Sequence, residues 1–149
     1  MNAEKPLKAK SIRLELRVPC DIRFRPVLAA ISDRMALYLG FSRSEAAEFV
    51  KTIIQVTDVA LDHRVATEYT SLDLTFATND EEIEIRVRYL CEREDQPVTD
   101  RPGIERFLSG RGDAQSPLAI IQRTMEQVEF GFDEGVEFCA LRKKLPEEQ

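Results

Sequence analysis

The feature that most constrains the fold is a long amphipathic segment that begins at Ser42. Ser42 and Glu45 have the spacing of a capping box, in which each side chain accepts a hydrogen bond from the other residue's backbone amide. Apolar residues then recur with the period of a helix, at Ala46, Phe49, Val50, Ile53, Val56, Ala60 and Leu61. The opposite face carries Glu48, Lys51, Gln55, Asp58 and Asp62. We therefore predict a helix from Ser42 to about Val65 with one buried face.

The sequence before this helix predicts a leader, a strand and another helix. Residues 1–10 are polar and are expected to form a flexible leader. Apolar and charged side chains alternate from Ile12 to Val18, which is the pattern of a strand that is buried on one face. A first helix is predicted at 24–39, and Gly40 supplies the residue that ends it.

After the central helix, the apolar period changes to that of β-strands. Two alternating runs, Leu72–Phe76 and Ile83–Tyr89, flank the polar pair Asn79 and Asp80, so a β-hairpin is predicted. The charged outer face of its second strand is expected to meet water rather than another layer of structure.

The remainder of the chain begins with a long irregular stretch. Residues 91–116 mix prolines and glycines with many charges, and only Ile104–Leu108 predict a helical turn. A loop of this length inside a domain is typically a lid or a binding loop. Ser116 and Pro117 then have the features of an N-cap and a first helical residue, which predicts a helix at 116–127. Two last strands are predicted at 128–132 and 136–145.

Charge and composition narrow the function classes. The 149 residues are enough for one domain with a hydrophobic core. A net charge of −6 argues against a general nucleic-acid-binding surface, which is normally basic. No run of 18 apolar residues exists, so no membrane-spanning helix is expected. Three scattered cysteines and a single histidine make a zinc site improbable and predict reduced thiols in a cytoplasmic protein.

The order of these elements resembles that of the anti-sigma-factor serine kinases, which are single-domain members of the histidine-kinase-like (Bergerat) ATPase superfamily. The resemblance covers 11–145 and has two local supports. The central helix runs up to His63 just before a hairpin, and the stretch from Leu118 to Ile121 is followed downstream by Val128, Glu129 and Phe130. It implies a single domain.

The resemblance also implies an architecture. We expect an α/β protein of the α+β two-layer sandwich type, with a mixed sheet of four or five strands. Three helices, near 24–39, 42–64 and 116–127, would lie on one face of the sheet. A nucleotide would bind between these helices and the 91–116 lid loop.

The residues at the family's nucleotide-binding positions do not have the required chemistry. The positions of the catalytic base and of the magnesium ligand, counted back from His63, are Gln55 and Val59. A glutamine side chain cannot take up a proton at neutral pH, and valine offers no oxygen to a hard cation. The glycines of the phosphate loop fall on Gln115 and Pro117, and proline has no amide to donate.

The third motif, an aspartate followed by two spaced glycines after the third strand, is also missing. The chain continues from Cys91 through Glu92 to Asp95 with acidic residues, but no glycine follows before Gly103. The glycines Gly110 and Gly112 are a candidate for a displaced phosphate loop. We therefore expect no cofactor and no ATP-dependent catalysis, with Gln55, Val59, His63, Gln115 and Pro117 as vestigial positions.

These observations favour a regulatory domain that binds another protein. The resemblance implies a sigma factor or an anti-anti-sigma-like protein as the partner, and it implies a homodimer. Neither nucleic acid nor membrane is expected as a partner. Candidate contacts on the first helix and the lid are Arg23, Arg34, Tyr38, Arg106 and Arg111.

Two alternatives remain open at the level of sequence. The first is an active ATP-binding serine kinase that acts on an anti-anti-sigma partner, with Asp58 or Asp62 as metal ligand and 110–117 as phosphate loop. The second is a small-molecule sensor that uses the former nucleotide cleft, for which an apolar cavity beside Val59 would be the structural sign.

Overall fold

Five strands form one antiparallel sheet in the computed structural model, which describes residues 11–62, 69–91, 104–109 and 116–146. The strands are β1 (Arg13–Pro19), β2 (Tyr69–Thr78), β3 (Glu82–Cys91), β4 (Gln127–Asp133) and β5 (Val136–Lys144). Their order across the sheet is β1-β2-β3-β5-β4, and every neighbouring pair is antiparallel. β1 and β4 are therefore the edge strands.

Helices cover one face of this sheet. They are α1 (Arg25–Tyr38), α2 (Arg43–Leu61), α3 (Ile104–Ser109) and α4 (Pro117–Thr124), and a short 3-10 turn at Ile22–Phe24 precedes α1. α2 contacts β2 and β3, α3 contacts β5, α4 contacts β4, and α1 packs mainly on α2. The predicted two-layer α+β fold is confirmed, with α3 as a fourth short helix inside the predicted lid loop.

The sheet is antiparallel throughout the described strands, whereas a mixed sheet was expected. Two consecutive helices, α1 and α2, connect β1 to β2, and only a short segment at Leu39–Ser42 separates them. Each helix reverses the direction of the chain, so β2 re-enters the sheet antiparallel to β1. The β2–β3 and β4–β5 connections are tight hairpins, which are antiparallel by construction.

The central helix begins as predicted and ends earlier. The Ser42 hydroxyl accepts from the Glu45 amide at 3.2 Å, and the Glu45 carboxylate accepts from the Ser42 amide at 3.0 Å. The helix ends at Leu61, because Asp62 has extended backbone angles (φ −94°, ψ 102°). The prediction of helix up to about Val65 was therefore too long.

The other element boundaries differ from the prediction by a few residues. The Ser116 hydroxyl caps the Ala119 amide of α4 at 3.1 Å, as its sequence position indicated. The helix stops at Thr124, because Met125 is extended (φ −105°, ψ 143°), so the prediction of helix to 127 was too long. Lys143 then donates to the carbonyl of Thr124 at 2.9 Å and satisfies one of the last helical acceptors.

The two faces of the sheet have opposite character. On β3 the side chains that face the helices are fully buried and apolar or aromatic: Ile83, Ile85, Val87 and Tyr89. The other face carries ion pairs across strands, including Arg17 with Asp73 and Arg142 with Glu84. The hydrogen bond from Arg17 lowers the pKa of Asp73 below its ordinary value. This face agrees with the predicted charged outer surface of the hairpin.

Candidate functional site

The described part of the predicted lid is packed into the helical layer. α3 contacts α2, α4 and β5, and its residues Ile104 and Leu108 are only 0% and 2% exposed. These two residues of α3 belong to the same buried hydrophobic cluster as Val59 of the central helix. α3 therefore packs with buried apolar side chains against both the central helix and the sheet.

A buried carboxyl group attaches α3 to the sheet. Glu137 lies on the helix-facing side of β5 and is 4% exposed. One of its oxygens accepts from the Tyr69 hydroxyl at 2.8 Å, and the other accepts from the backbone amide of Ile104. Both oxygens thus have a donor, which offsets the desolvation of a carboxyl group in the core.

Two buried tyrosines lie next to this carboxyl group. The rings of Tyr69 and Tyr89 are 5.6 Å apart between centroids, in a tilted arrangement. The Tyr89 hydroxyl donates to the carbonyl of Val56 on α2 at 2.7 Å. Burial is the main cause that raises the pKa of Tyr89 well above its ordinary value, so this hydroxyl stays protonated and acts as a donor. The sheet and the second half of α2 are therefore joined by aromatic packing and a hydrogen bond.

The structure describes three of the five predicted site residues. Gln55 is half-buried on α2, Val59 is 6% exposed, and Pro117 is the first residue of α4. His63 and Gln115 lie outside the described residues, and α2 ends two positions before His63.

The lining of one cavity shows which ends of α4 and α2 lie close together. The last turns of α4, at Ile120 and Thr124, line one cavity with the first turns of α2, at Ser44 and Glu48. The C-terminal end of α4 therefore lies near the N-terminal end of α2, at the opposite end of α2 from Val59.

Asp58, one of the two aspartates considered as metal ligand in the kinase alternative beside Asp62, forms an ion pair with Arg25. Arg25 at the start of α1 donates two hydrogen bonds to the Asp58 carboxylate, at 2.9 and 2.8 Å. Such a bidentate pair occupies both carboxylate oxygens. The pair ties the first turn of α1 to the last turns of α2, and it directs Asp58 toward α1. The structure therefore gives Asp58 a role in helix pairing.

A surface cavity of about 610 Å³ lies at the other end of α2 from Val59. Its lining combines acidic, basic and hydroxyl side chains: Ser44, Glu45, Glu48, Lys51, Ile120, Arg123, Thr124 and Lys143. Such a lining differs from the apolar cavity beside Val59 that the sensor alternative requires. Glu45 and Lys143 in this lining already serve the helix ends of α2 and α4.

The thiols have the properties of buried structural cysteines. Burial, together with the nearby Cys91, raises the pKa of Cys20 to about 11, and burial raises the pKa of Cys139 to about 12. Both thiols are therefore protonated at neutral pH and are poor nucleophiles. Within the ranges that the structure describes, no group of three or more His, Cys, Asp or Glu side chains could hold a metal ion.

Sequence reasoning did not identify the carboxyl group of Glu137 or the Arg25–Asp58 pair. A signal for the first was present, because Glu137 has the same strand parity as Cys139 and Leu141, which point into the core. A lone acidic residue at a core position of a strand indicates a buried hydrogen-bonding partner. No sequence signal identifies Arg25 as the partner of Asp58, since the two are 33 positions apart.

None of the described helices is long and apolar enough to cross a membrane. A scan against models of known protein families finds no match for the chain. A search of curated proteins likewise finds no significantly similar sequence.

Proposed function

We propose that the chain is a cytoplasmic regulatory domain that binds another protein and does not use ATP. The observation that carries the proposal is the packing of α3 against the central helix, with Ile104 and Leu108 buried in the same cluster as Val59. In the resembled anti-sigma kinases a nucleotide would lie between these helices and the lid. Here apolar side chains and the Glu137 carboxyl group take up the interior next to α2.

The Arg25–Asp58 pair supports the same proposal. Arg25 donates to both oxygens of Asp58, so a magnesium ion at this carboxylate would have to compete with a bidentate, charge-assisted pair. Val59 on the same turn is apolar and buried. Gln55 and Val59 lie at the helical positions of the catalytic base and the metal ligand in the resembled family. Neither side chain has the chemistry that phosphoryl transfer requires at its position.

We expect no binding of Mg·ATP or Mg·ADP by the wild-type chain. A nucleotide site in the resembled family needs a metal ligand, a carboxylate for the adenine and free amides for the phosphates. Each missing polar contact removes about 1–3 kcal/mol, and two or three losses together weaken a micromolar site to millimolar or beyond. Isothermal titration calorimetry at submillimolar nucleotide is the measurement. A magnesium-dependent thermal shift with ATP would favour the kinase alternative.

The proposed partner class is a sigma factor or an anti-anti-sigma-like protein, and α1 offers a surface for it. Arg34 and Tyr38 are four positions apart, so they lie on the same face of α1. Arg34 is exposed, and Tyr38 is 72% exposed. Arginine and tyrosine are the residue types that most often dominate the energy of a protein interface. Arg23 and Arg106 are also exposed, and Arg111 lies outside the described residues.

Replacing Tyr38 or Arg34 with alanine is expected to weaken binding of such a partner by roughly tenfold or more. Neither side chain belongs to the buried core, so the thermal stability of the chain should stay unchanged. The measurement is the affinity of the purified chain for purified sigma factors and anti-anti-sigma-like proteins. Lys51→Ala, an exposed change on α2, is the matched control and should bind like wild type. Full affinity of both α1 variants would exclude this face.

A further inference from the structure

Among the residues that the structure describes, β1 pairs with β2 alone, so the backbone groups on its outer edge have no strand partner there. The Ile12 carbonyl accepts from the Thr78 amide at 2.9 Å, and the Cys20 amide donates to the Thr70 carbonyl at 3.0 Å. In an antiparallel pair, alternate residues direct their amide and carbonyl groups to the same neighbour. The even-numbered residues of β1 therefore bond to β2. The amides and carbonyls of Arg13, Glu15 and Arg17 point away from the sheet.

The apolar side chains of β1 are less well covered than those of its neighbour. Leu14 and Leu16 face the helical side of the sheet, opposite Phe76 and Leu74 of β2. Leu14 is 36% exposed and Leu16 is half-buried, whereas Phe76 and Leu74 are 1% and 0% exposed. An open edge with a partly exposed apolar row is a template for another strand.

The charges on β1 are complementary to themselves in one register. If a second β1 lies antiparallel with the two Leu14 residues opposite each other, Arg13 of each copy faces Glu15 of the other. Cross-strand pairs of opposite charge stabilise a sheet, and like charges destabilise it. In this register Arg13 and Glu15 also exchange both of their outward backbone hydrogen bonds, because both are odd-numbered residues. In this register the charges, the apolar side chains and the outward backbone groups of the two β1 strands are therefore all complementary.

Two neighbouring registers each lose either the match of opposite charges or a backbone hydrogen bond. Centring the pair on Glu15 places Glu15 against Glu15 and Arg13 against Arg17, which are like charges. Centring it on Leu16 places Arg13 opposite Pro19, and proline has no amide for the ladder. The register centred on Leu14 avoids both problems.

We propose that the β1 edge binds a second copy of this chain, with the two strands antiparallel and Leu14 at the twofold axis. The two five-stranded sheets then form one continuous sheet, and the exposed apolar surface of Leu14 is covered by its counterpart. The inference is independent of what the former nucleotide cleft does, because it uses only residues of β1 and their pairing with β2.

Charge reversal tests the surface and the register together. Arg13 and Glu15 side chains are 63% and 65% exposed, so replacing either should leave the fold intact. We expect wild type to sediment as a dimer at high micromolar concentration. R13E and E15R should each raise the dimer dissociation constant by roughly tenfold or more, because each places like charges opposite one another at two positions.

Mixing the two variants gives the decisive result. R13E carries Glu at positions 13 and 15, and E15R carries Arg at both, so a mixture of the two variants should form a heterodimer. The double variant R13E/E15R restores opposite charges across the axis and should form a homodimer again. E129R, an exposed change on the other edge strand with the same charge change as E15R, is the matched control and should dimerise normally. A monomeric wild type, for example with 1–10 covering the edge, overturns the proposal. Single variants that dimerise normally, or a mixture that stays monomeric, also overturn it.

Discussion

Replacing Glu137 with alanine should lower the free energy of unfolding by about 2–5 kcal/mol, because it removes the carboxyl group that accepts two buried hydrogen bonds. The Tyr69 hydroxyl and the Ile104 amide both donate to this carboxyl group, and Tyr69 and Ile104 are 1% and 0% exposed. An unsatisfied buried donor costs about 1–3 kcal/mol, and two donors are affected here. Urea unfolding followed by circular dichroism measures the change, and the melting temperature should fall by roughly 5–15 °C.

Glu137→Gln is the matched control for this loss. Its carbonyl oxygen can still accept from the Ile104 amide, and its amide can donate to the Tyr69 oxygen, although the Tyr69 proton then loses this acceptor. The loss should therefore be smaller than in the alanine variant, by about 1–2 kcal/mol. The alanine variant should also free α3, which hydrogen exchange at Ile104–Ser109 detects as faster exchange than in the glutamine variant. An alanine variant as stable as wild type would show that the Glu137 hydrogen bonds do not hold α3 in place.

The second large effect is expected at Val59 of the central helix. Restoring the resembled residues with Val59→Asn and Gln55→Glu should destabilise the domain by about 2–4 kcal/mol, and Val59 accounts for most of the loss. Val59 is 6% exposed within the hydrophobic cluster, so asparagine would bury an amide that has no partner there. Gln55 is half-buried, and the glutamate there remains partly hydrated.

The same double variant should still fail to bind Mg·ATP at submillimolar concentration. Pro117 at the start of α4 still lacks a phosphate-binding amide, and the glycine turn after β3 is still missing. Val59→Ala is the control for lost apolar volume alone and should cost only about 1–2 kcal/mol. Calorimetric binding of ATP by the double variant would contradict our assignment of the nucleotide positions.

Local sequence patterns predicted the elements of this fold because those patterns act over a few residues. The Ser42–Glu45 capping box, the Ser116 cap and the Asn79 turn are interactions within three positions of sequence, and all three are present in the structure. Helix ends were predicted less well. α2 stops at Leu61 and α4 at Thr124. The point at which the chain leaves each helix depends on how far the helix end lies from the start of the next strand, and that separation is set by the packing of the two layers.

The sequence by itself determined the order of the elements and the residue types at the positions that match the resembled family's nucleotide motifs, because periodicity, caps and side-chain chemistry are local properties. The two-layer class was expected from the resemblance in element order. Only the tertiary structure decided the antiparallel sheet and the positions of α3 and Asp58. It places Glu137 under Tyr69 across 68 positions and Arg25 on Asp58 across 33. Such pairings depend on how the layers pack, and no short-range pattern records which distant side chains will meet when apolar faces are buried together.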